Sequence, residues 1–241
     1  MRIAKHSFVR VPLLLIIAAA TATPISSVSA APTVVALWHL DEDAGASQMV
    51  DSSGNDNDGR LNKVESGLNG HINKSYYFGR VGLPSYVDVP HDNTLNPGTQ
   101  DLTLSMYAKF PNVPPAAVGD YDMVRKGLTA TPGGSYKMEI FPKNSGGRAL
   151  CFFKGSSGQG KLVKGPDLSD DEWYFVQCKK NANQISLRIQ ATVGSFDQTY
   201  TKNVTIGSIS NNVNVYVGAK SPAGADQYTG AMDEVKIEVG S

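Results

Sequence analysis

From residue 31 onward the chain is a succession of short runs rich in β-branched and aromatic residues, each closed by Gly, Asn, Asp or Pro. The clearest runs cover 34–41, 75–78, 86–89, 102–110, 136–141, 149–154, 173–179, 185–190, 213–217 and 231–239. Several alternate with period two, as a strand with one buried face must. Leu102, Leu104, Met106 and Ala108 share one face, with Thr103 and Ser105 on the other. In the last run Met232, Glu234, Lys236 and Glu238 oppose Asp233, Val235, Ile237 and Val239. No window of twelve residues carries the 3.6-residue apolar stripe of an amphipathic helix. Ten or more strands without a linker or repeat predict an all-β chain, folded as a two-sheet antiparallel sandwich. With 24 glycines, 13 prolines and 18% charged residues, a disordered chain and a long helical array are both excluded.

The first thirty residues differ from the rest. Arg2, Lys5 and Arg10 make a basic start without acids, residues 11–20 are apolar apart from Pro12, and Val28-Ser29-Ala30 offers a cleavage site. This pattern reads as a signal peptide over 1–30, followed by one domain over 31–241. The apolar run is too short to span about 30 Å of hydrocarbon, so no membrane span is expected. Without the leader, 19 basic residues face 22 acidic ones, a balance of −3. That balance lacks the electrostatic footprint of a nucleic-acid binder. A secreted, monomeric protein is the expectation. In an oxidising compartment Cys151 and Cys178, the sole cysteines, favour a disulfide, with two buried thiols as the other reading.

Three segments carry a family resemblance. The first is Leu37-Trp38-His39-Leu40-Asp41-Glu42 with the polar loop from Asp51 to Gly59. The second is Tyr76-Tyr77-Phe78-Gly79 followed by Ser85-Tyr86-Val87-Asp88-Val89-Pro90, and the third is the closing stretch from Tyr228 to Ile237. Between them lie Asp171-Glu172-Trp173-Tyr174 and Tyr216-Val217-Gly218. In this order they resemble the concanavalin A-like lectin/glucanase superfamily, and within it laminin G-like domains. The chain departs from the family's frequent Phe-Asp-Gly at Phe78-Gly79-Arg80, and lacks its Val-Asp-Gly hairpin at Ala191-Thr192-Val193-Gly194.

The resemblance implies a jelly-roll with the first and last strands side by side. It also implies a structural calcium, carried over here to Asp41, Asp51, Asn55 and Asp233. Calcium takes six to eight oxygens, and the loop offers Asp51, Asn55, Asp56, Asn57 and Asp58. The same residue types make ordinary Asx turns, so turn chemistry is the competing reading. Glu42 fits a role pinned to loop amides.

Catalysis finds little support. A glycosidase needs two carboxyls flanking the scissile bond, and no strand shows the superfamily's Glu, Asp, Glu spacing. Glu234 and Glu238 are four apart, but with Lys236 between them they read as a solvated face. A lyase needs a base and a cation for the uronate, yet no strand pair is rich in Arg and His. No Gly-x-Ser-x-Gly elbow is present. The expected function is non-catalytic, lectin-like recognition of extracellular polysaccharide or glycoprotein glycan. The alternatives are a diverged lyase or hydrolase, and a structural or adhesion module that binds protein. Sugar faces stack on aromatic rings, which makes Tyr121, Tyr136, Phe141, Phe153 and Tyr228 the ligand candidates, with core packing as their competing role. Trp38 and Trp173 are expected in the core.

Overall fold

Strands with one apolar face bury it only by stacking a second sheet on the first, and this chain does so twice over eight strands. The computed structural model describes residues 31–79, 84–109, 120–143, 146–169 and 171–240, with 1, 2 and 4. The proposed leader over 1–30 therefore lies almost wholly outside the described residues.

The chain opens with β1 (Thr33–Trp38), β2 (Gln48–Met49), β3 (Gly59–Asn62), β4 (Glu65–Asn69), β5 (Lys74–Phe78) and β6 (Tyr86–Val89). After a 3-10 turn at Asn93–Leu95 come β7 (Leu102–Lys109), β8 (Tyr121–Lys126), β9 (Ser135–Lys143), β10 (Gly146–Lys154) and β11 (Lys161–Leu168). The last strands are β12 (Tyr174–Lys180), β13 (Gln184–Ala191), β14 (Asp197–Asn203), β15 (Val215–Val217) and β16 (Gly230–Val239). Sheet A runs β14-β13-β12-β7-β16-β5-β4, with β1 also on β16, and sheet B runs β11-β10-β9-β8-β15-β6-β3-β2. All strand pairs in both sheets are antiparallel, which is the jelly-roll sandwich expected from the sequence. The ten-residue β16 holds β1 along 235–239 and β5 along 230–232, so the two ends of the domain are neighbours.

The core lies between the sheets. From sheet A, β7 sends in Leu102, Leu104, Met106 and Ala108, and β13 sends in Ile185, Leu187 and Ile189. Tyr136, Met138 and Ile140 of β9 meet them from sheet B, all buried. Trp38 is fully buried, and its indole Nε1 donates to the Asn57 carbonyl at 2.8 Å, which ties β1 to the polar loop. Cys151 of β10 and Cys178 of β12 form a disulfide across the two sheets, with Cα atoms 5.5 Å apart.

The alternation expected for β16 breaks at one point. Asp233 pairs with Tyr107 and Lys236 with Ser105, so two residues oppose Met106 alone and Glu234 takes φ 52°. This is a β-bulge, and it slips the inward phase from Met232 to Val235, Ile237 and Val239. Asp233 thus parts from Val235 and stays on the outer face, at the level of Tyr107.

Candidate functional site

Three consecutive aromatics in a strand cannot all face the core, because neighbouring side chains point to opposite faces. Tyr76 and Phe78 are buried, which turns Tyr77 outward on sheet A. Tyr174 and Val176 are buried, so Trp173 and Phe175 face outward too, both half-buried. Tyr107 leaves β7 on the same side, between the inward Met106 and Ala108. Phe175 and Tyr107 are cross-strand partners with ring centroids 5.4 Å apart. His71, in the turn between β4 and β5, lies 4.1 Å from the Tyr107 ring and 6.1 Å from that of Trp173. Arg188 of β13 extends the row, its guanidinium 5.9 Å from the Phe175 ring.

Beside this row Ala231 sits between Tyr77 and Lys109 across three adjacent strands. The small side chain leaves a cavity of about 290 Å³, walled by Tyr77, Lys109, Asp171 and Trp173. That volume lies at the lower end of small-molecule pockets. Lys109 and Asp171 pair across it at 3.2 Å.

The 70–73 turn that carries His71 is held by two of the expected metal ligands. Asp41 accepts from the Lys74 amide at 2.9 Å and from Asn73 Nδ2 at 3.2 Å. Asp233 accepts from the Ile72 amide at 2.7 Å through Oδ2, while its buried Oδ1 has no hydrogen-bond partner. Burial pushes the Asp233 carboxyl up to about 7, a rise the Ile72 amide partly offsets. Gly70 is required here, since a Cβ would sit 2.1 Å from the Lys74 carbonyl oxygen and 2.7 Å from Asp233 Oδ2. The bulge places Glu234 next to His39, whose Nδ1 lies 2.8 Å from Oε1.

Asp51 and Asn55 do other work. Asp51 Oδ1 accepts from the amides of Leu37 and Ser53, both at 2.9 Å, and Oδ2 accepts from the Asn57 amide at 3.0 Å. Asn55 Nδ2 donates to the Val34 carbonyl at 3.2 Å. Glu42 accepts from the Val50 amide at 2.8 Å and from the Tyr76 hydroxyl. The acids of the two terminal strands do converge on a rim, where Asp41, Asp51 and Asp233 each accept from at least one backbone amide. Among the described residues these three do not gather within ligating distance of one another. They do not fit a calcium cage.

One carboxylate group does gather. Asp120 just before β8, Asp122 on β8 and Glu139 on β9 bring oxygens within 4.8 Å, a spacing that could hold a metal ion. A cation is already among them: Lys137 Nζ lies 2.6 Å from Asp120, 3.6 Å from Asp122 and in contact with Glu139. Arg125 Nε approaches Asp122 Oδ2 at 2.7 Å. Burial, with a hydrogen bond donated to Asp120, raises the Glu139 carboxyl to about 9. Burial also raises Asp122 to about 6 against the pull of Arg125, while the hydrogen bond accepted from Glu139 and the Lys137 ammonium hold Asp120 well below the usual range. Glu139 thus carries a proton towards Asp120, and a metal would have to evict Lys137.

The aromatic candidates read from the sequence are corrected by burial. Tyr121 is 3% exposed, Tyr136 and Phe153 are at 0% and Tyr228 is at 1%. Their rings fill the core, where no ligand reaches; Tyr136 donates to the Leu95 carbonyl and Tyr228 to that of Lys109. Phe141 alone is open, at 41%, with Lys164 Nζ 5.2 Å from its ring. Trp173, expected in the core, instead walls the cavity. The signal for it was in the sequence: Tyr76-Tyr77-Phe78 and Trp173-Tyr174-Phe175 each force at least one ring outward once the strands are placed.

Two antiparallel sheets with an aromatic strip across the outer face of one define a jelly-roll of the lectin type. The chain belongs to the concanavalin A-like lectin/glucanases superfamily, whose laminin G family model matches residues 82–238. Among curated proteins no sequence matches the chain. Its fold is shared with the binding domain of Paraclostridial mosquitocidal protein 1, at TM-score 0.63 and 16% identity over 85% of this chain and 48% of that one. The binding domain of botulinum neurotoxin serotype G aligns at TM-score 0.58 and 9% identity, over 85% and 47% of the two chains. An arabinofuranosidase complexed with arabinofuranosyl-alpha-1,2-xylobiose aligns at TM-score 0.53 and 12% identity, over 80% and 47%. The chain spans about half the length of these structures. No helix among the described residues is long and apolar enough to cross a membrane.

Proposed function

We propose that residues 1–30 are a signal peptide and that residues 31–241 act outside the cell as a non-catalytic carbohydrate-recognition domain. The ligand, a polysaccharide or a glycoprotein glycan, lies on the outer face of sheet A. The observation that carries this reading is the strip His71, Tyr107, Trp173 and Phe175, aligned beside a small cavity and half open to solvent. Sugar rings present C–H faces that aromatic rings accept, while cavity-edge polar groups orient the hydroxyls. The inter-sheet disulfide supports export, since such bonds persist in oxidising compartments. The recurrence of the fold in toxin binding domains and in an enzyme solved with a saccharide also supports a recognition role. The reading does not call on calcium: Asp41, Asp51 and Asp233 do not gather within ligating distance of one another, and Lys137 sits among Asp120, Asp122 and Glu139.

Affinity electrophoresis through gels cast with individual polysaccharides tests the reading. Retention by at least one polymer is expected, with Trp173→Ala weakening it about tenfold or more, or about 1.4 kcal/mol. Release of reducing ends or unsaturated uronates would establish an enzyme instead. Retention that Trp173→Ala and Tyr107→Ala leave unchanged would place the site elsewhere.

A further inference from the structure

The charges along the strip are matched one to one. Lys109 of β7 pairs with Asp171 at 3.2 Å, at the mouth of the cavity. Arg188, at the far end of the aromatic row, holds Asp197 through two parallel contacts, Nε to Oδ1 at 2.9 Å and Nη2 to Oδ2 at 2.6 Å. On the same sheet Lys236 meets Glu238 at 3.1 Å, and Lys179 lies 4.0 Å from Asp101. Each base named here has an acid of its own, so among the described residues the strip presents aromatic surface and hydrogen-bonding groups without a spare lysine or arginine.

That balance bears on the ligand's charge. A uronate, sulfate or sialate group is recognised by an uncommitted cation, above all by the planar fork of an arginine, which grips an oxyanion with two N–H groups at once. Here the Arg188 fork is already filled by the Asp197 carboxylate, and the ammonium nearest the cavity is filled by Asp171. An acidic saccharide would have to displace these carboxylates and then lie beside them as like charges. A neutral ring meets no such cost, and its apolar face suits Tyr107, Phe175 and Trp173.

The row also has a direction. Arg188, Phe175, Tyr107 and Tyr77 stand on β13, β12, β7 and β5, with β16 between the last two, so the strip crosses the strands. Four strand spacings cover about 19 Å. This suits several consecutive residues of an extended chain better than a single terminal sugar. Resting on the carbohydrate reading above, we infer that the outer face of sheet A takes a neutral polysaccharide chain and discriminates against acidic glycans through the Lys109–Asp171 and Arg188–Asp197 pairs.

The test runs the full chain through gels of two neutral polymers, a β-glucan and an arabinoxylan, and two acidic ones, alginate and polygalacturonate. Each is run at about 20 mM and about 500 mM salt, where ionic attraction between exposed groups is respectively long-ranged and quenched. Retention by a neutral polymer is expected to change less than about twofold with salt and to be lost in Trp173→Ala, with the acidic polymers not retaining the protein. Asp197→Asn and Asp171→Asn each free a cation, and each is expected to gain salt-sensitive retention by an acidic polymer. Wild-type retention by alginate or polygalacturonate that needs Trp173 and disappears at high salt would overturn the neutral assignment while leaving the platform reading intact. Retention by none of the four, or retention indifferent to Trp173, would overturn the platform reading and the assignment with it.

Discussion

Breaking the Cys151–Cys178 bond should lower stability by an amount that follows from chain length. The bond joins β10 of sheet B to β12 of sheet A and closes a loop with a sequence separation of 27. Opening it returns loop-closure entropy to the unfolded chain, about 12 cal/mol/K for that length, or about 3.5 kcal/mol at 25 °C. For a domain of this size each kcal/mol moves the melting midpoint by roughly 2–4 °C, so a loss of about 7–14 °C is expected. The assay is calorimetry of the protein with and without reductant, beside a Cys151→Ala/Cys178→Ala variant. Both sulfurs are fully buried, so the alanine variant should melt lower than the reduced protein by the cost of its cavity. A reduced protein melting within about 2 °C of the oxidised one would refute the argument. The two sheets would then be held by their shared core alone, with no constraint on the unfolded chain.

Three further perturbations have defined outcomes. Lys137→Met leaves Asp120, Asp122 and Glu139 with Arg125 as their remaining close cation, and a loss of about 3–5 kcal/mol in denaturant unfolding is expected; adding Glu139→Gln should recover part of it. Gly218→Ala should cost about 2–4 kcal/mol, because its φ is 89° and the new Cβ would fall 2.1 Å from the buried Phe78 ring; a midpoint unchanged from wild type would count against the packing described here. Asp233 binds its proton more tightly folded than unfolded, with a carboxyl raised from 3.8 to about 7. Its contribution is therefore full below pH 4 and lost as pH rises through 7. Asp233→Asn should flatten the fall in melting temperature between pH 5 and pH 8, and an unaltered slope would show that this group does not set it.

How much of this was legible in the sequence follows from which residues obey simple alternation. The sandwich and its inward faces were readable at β7, where Leu102, Leu104, Met106 and Ala108 keep strict period two and all end fully buried. The adjacency of β1 and β16 was readable from the family resemblance and is present. What failed was reading function from chemistry without phase. Tyr121, Tyr136, Phe153 and Tyr228 are aromatics near loops in the sequence, yet all four are buried. Asp41 and Asp233, expected on an ion, instead secure the 70–73 turn, whose amides they meet only once β1, β5 and β16 are placed side by side. The Lys137 cluster was missed for a related reason: residues 120 to 139 become neighbours only when β8 and β9 pair.

The chain has two tryptophans, one sealed in the core at position 38 and one at the cavity wall at position 173, and this asymmetry offers the most direct measurement. Iodide should quench the fluorescence of Trp173 and spare that of Trp38. Adding a saturating amount of a polysaccharide that retains the protein in gels should shield the quenchable component, and a Trp173→Phe variant should lack that component altogether. A bound polysaccharide that leaves iodide quenching of Trp173 unaltered would contradict the assignment of the outer face of sheet A as the ligand surface.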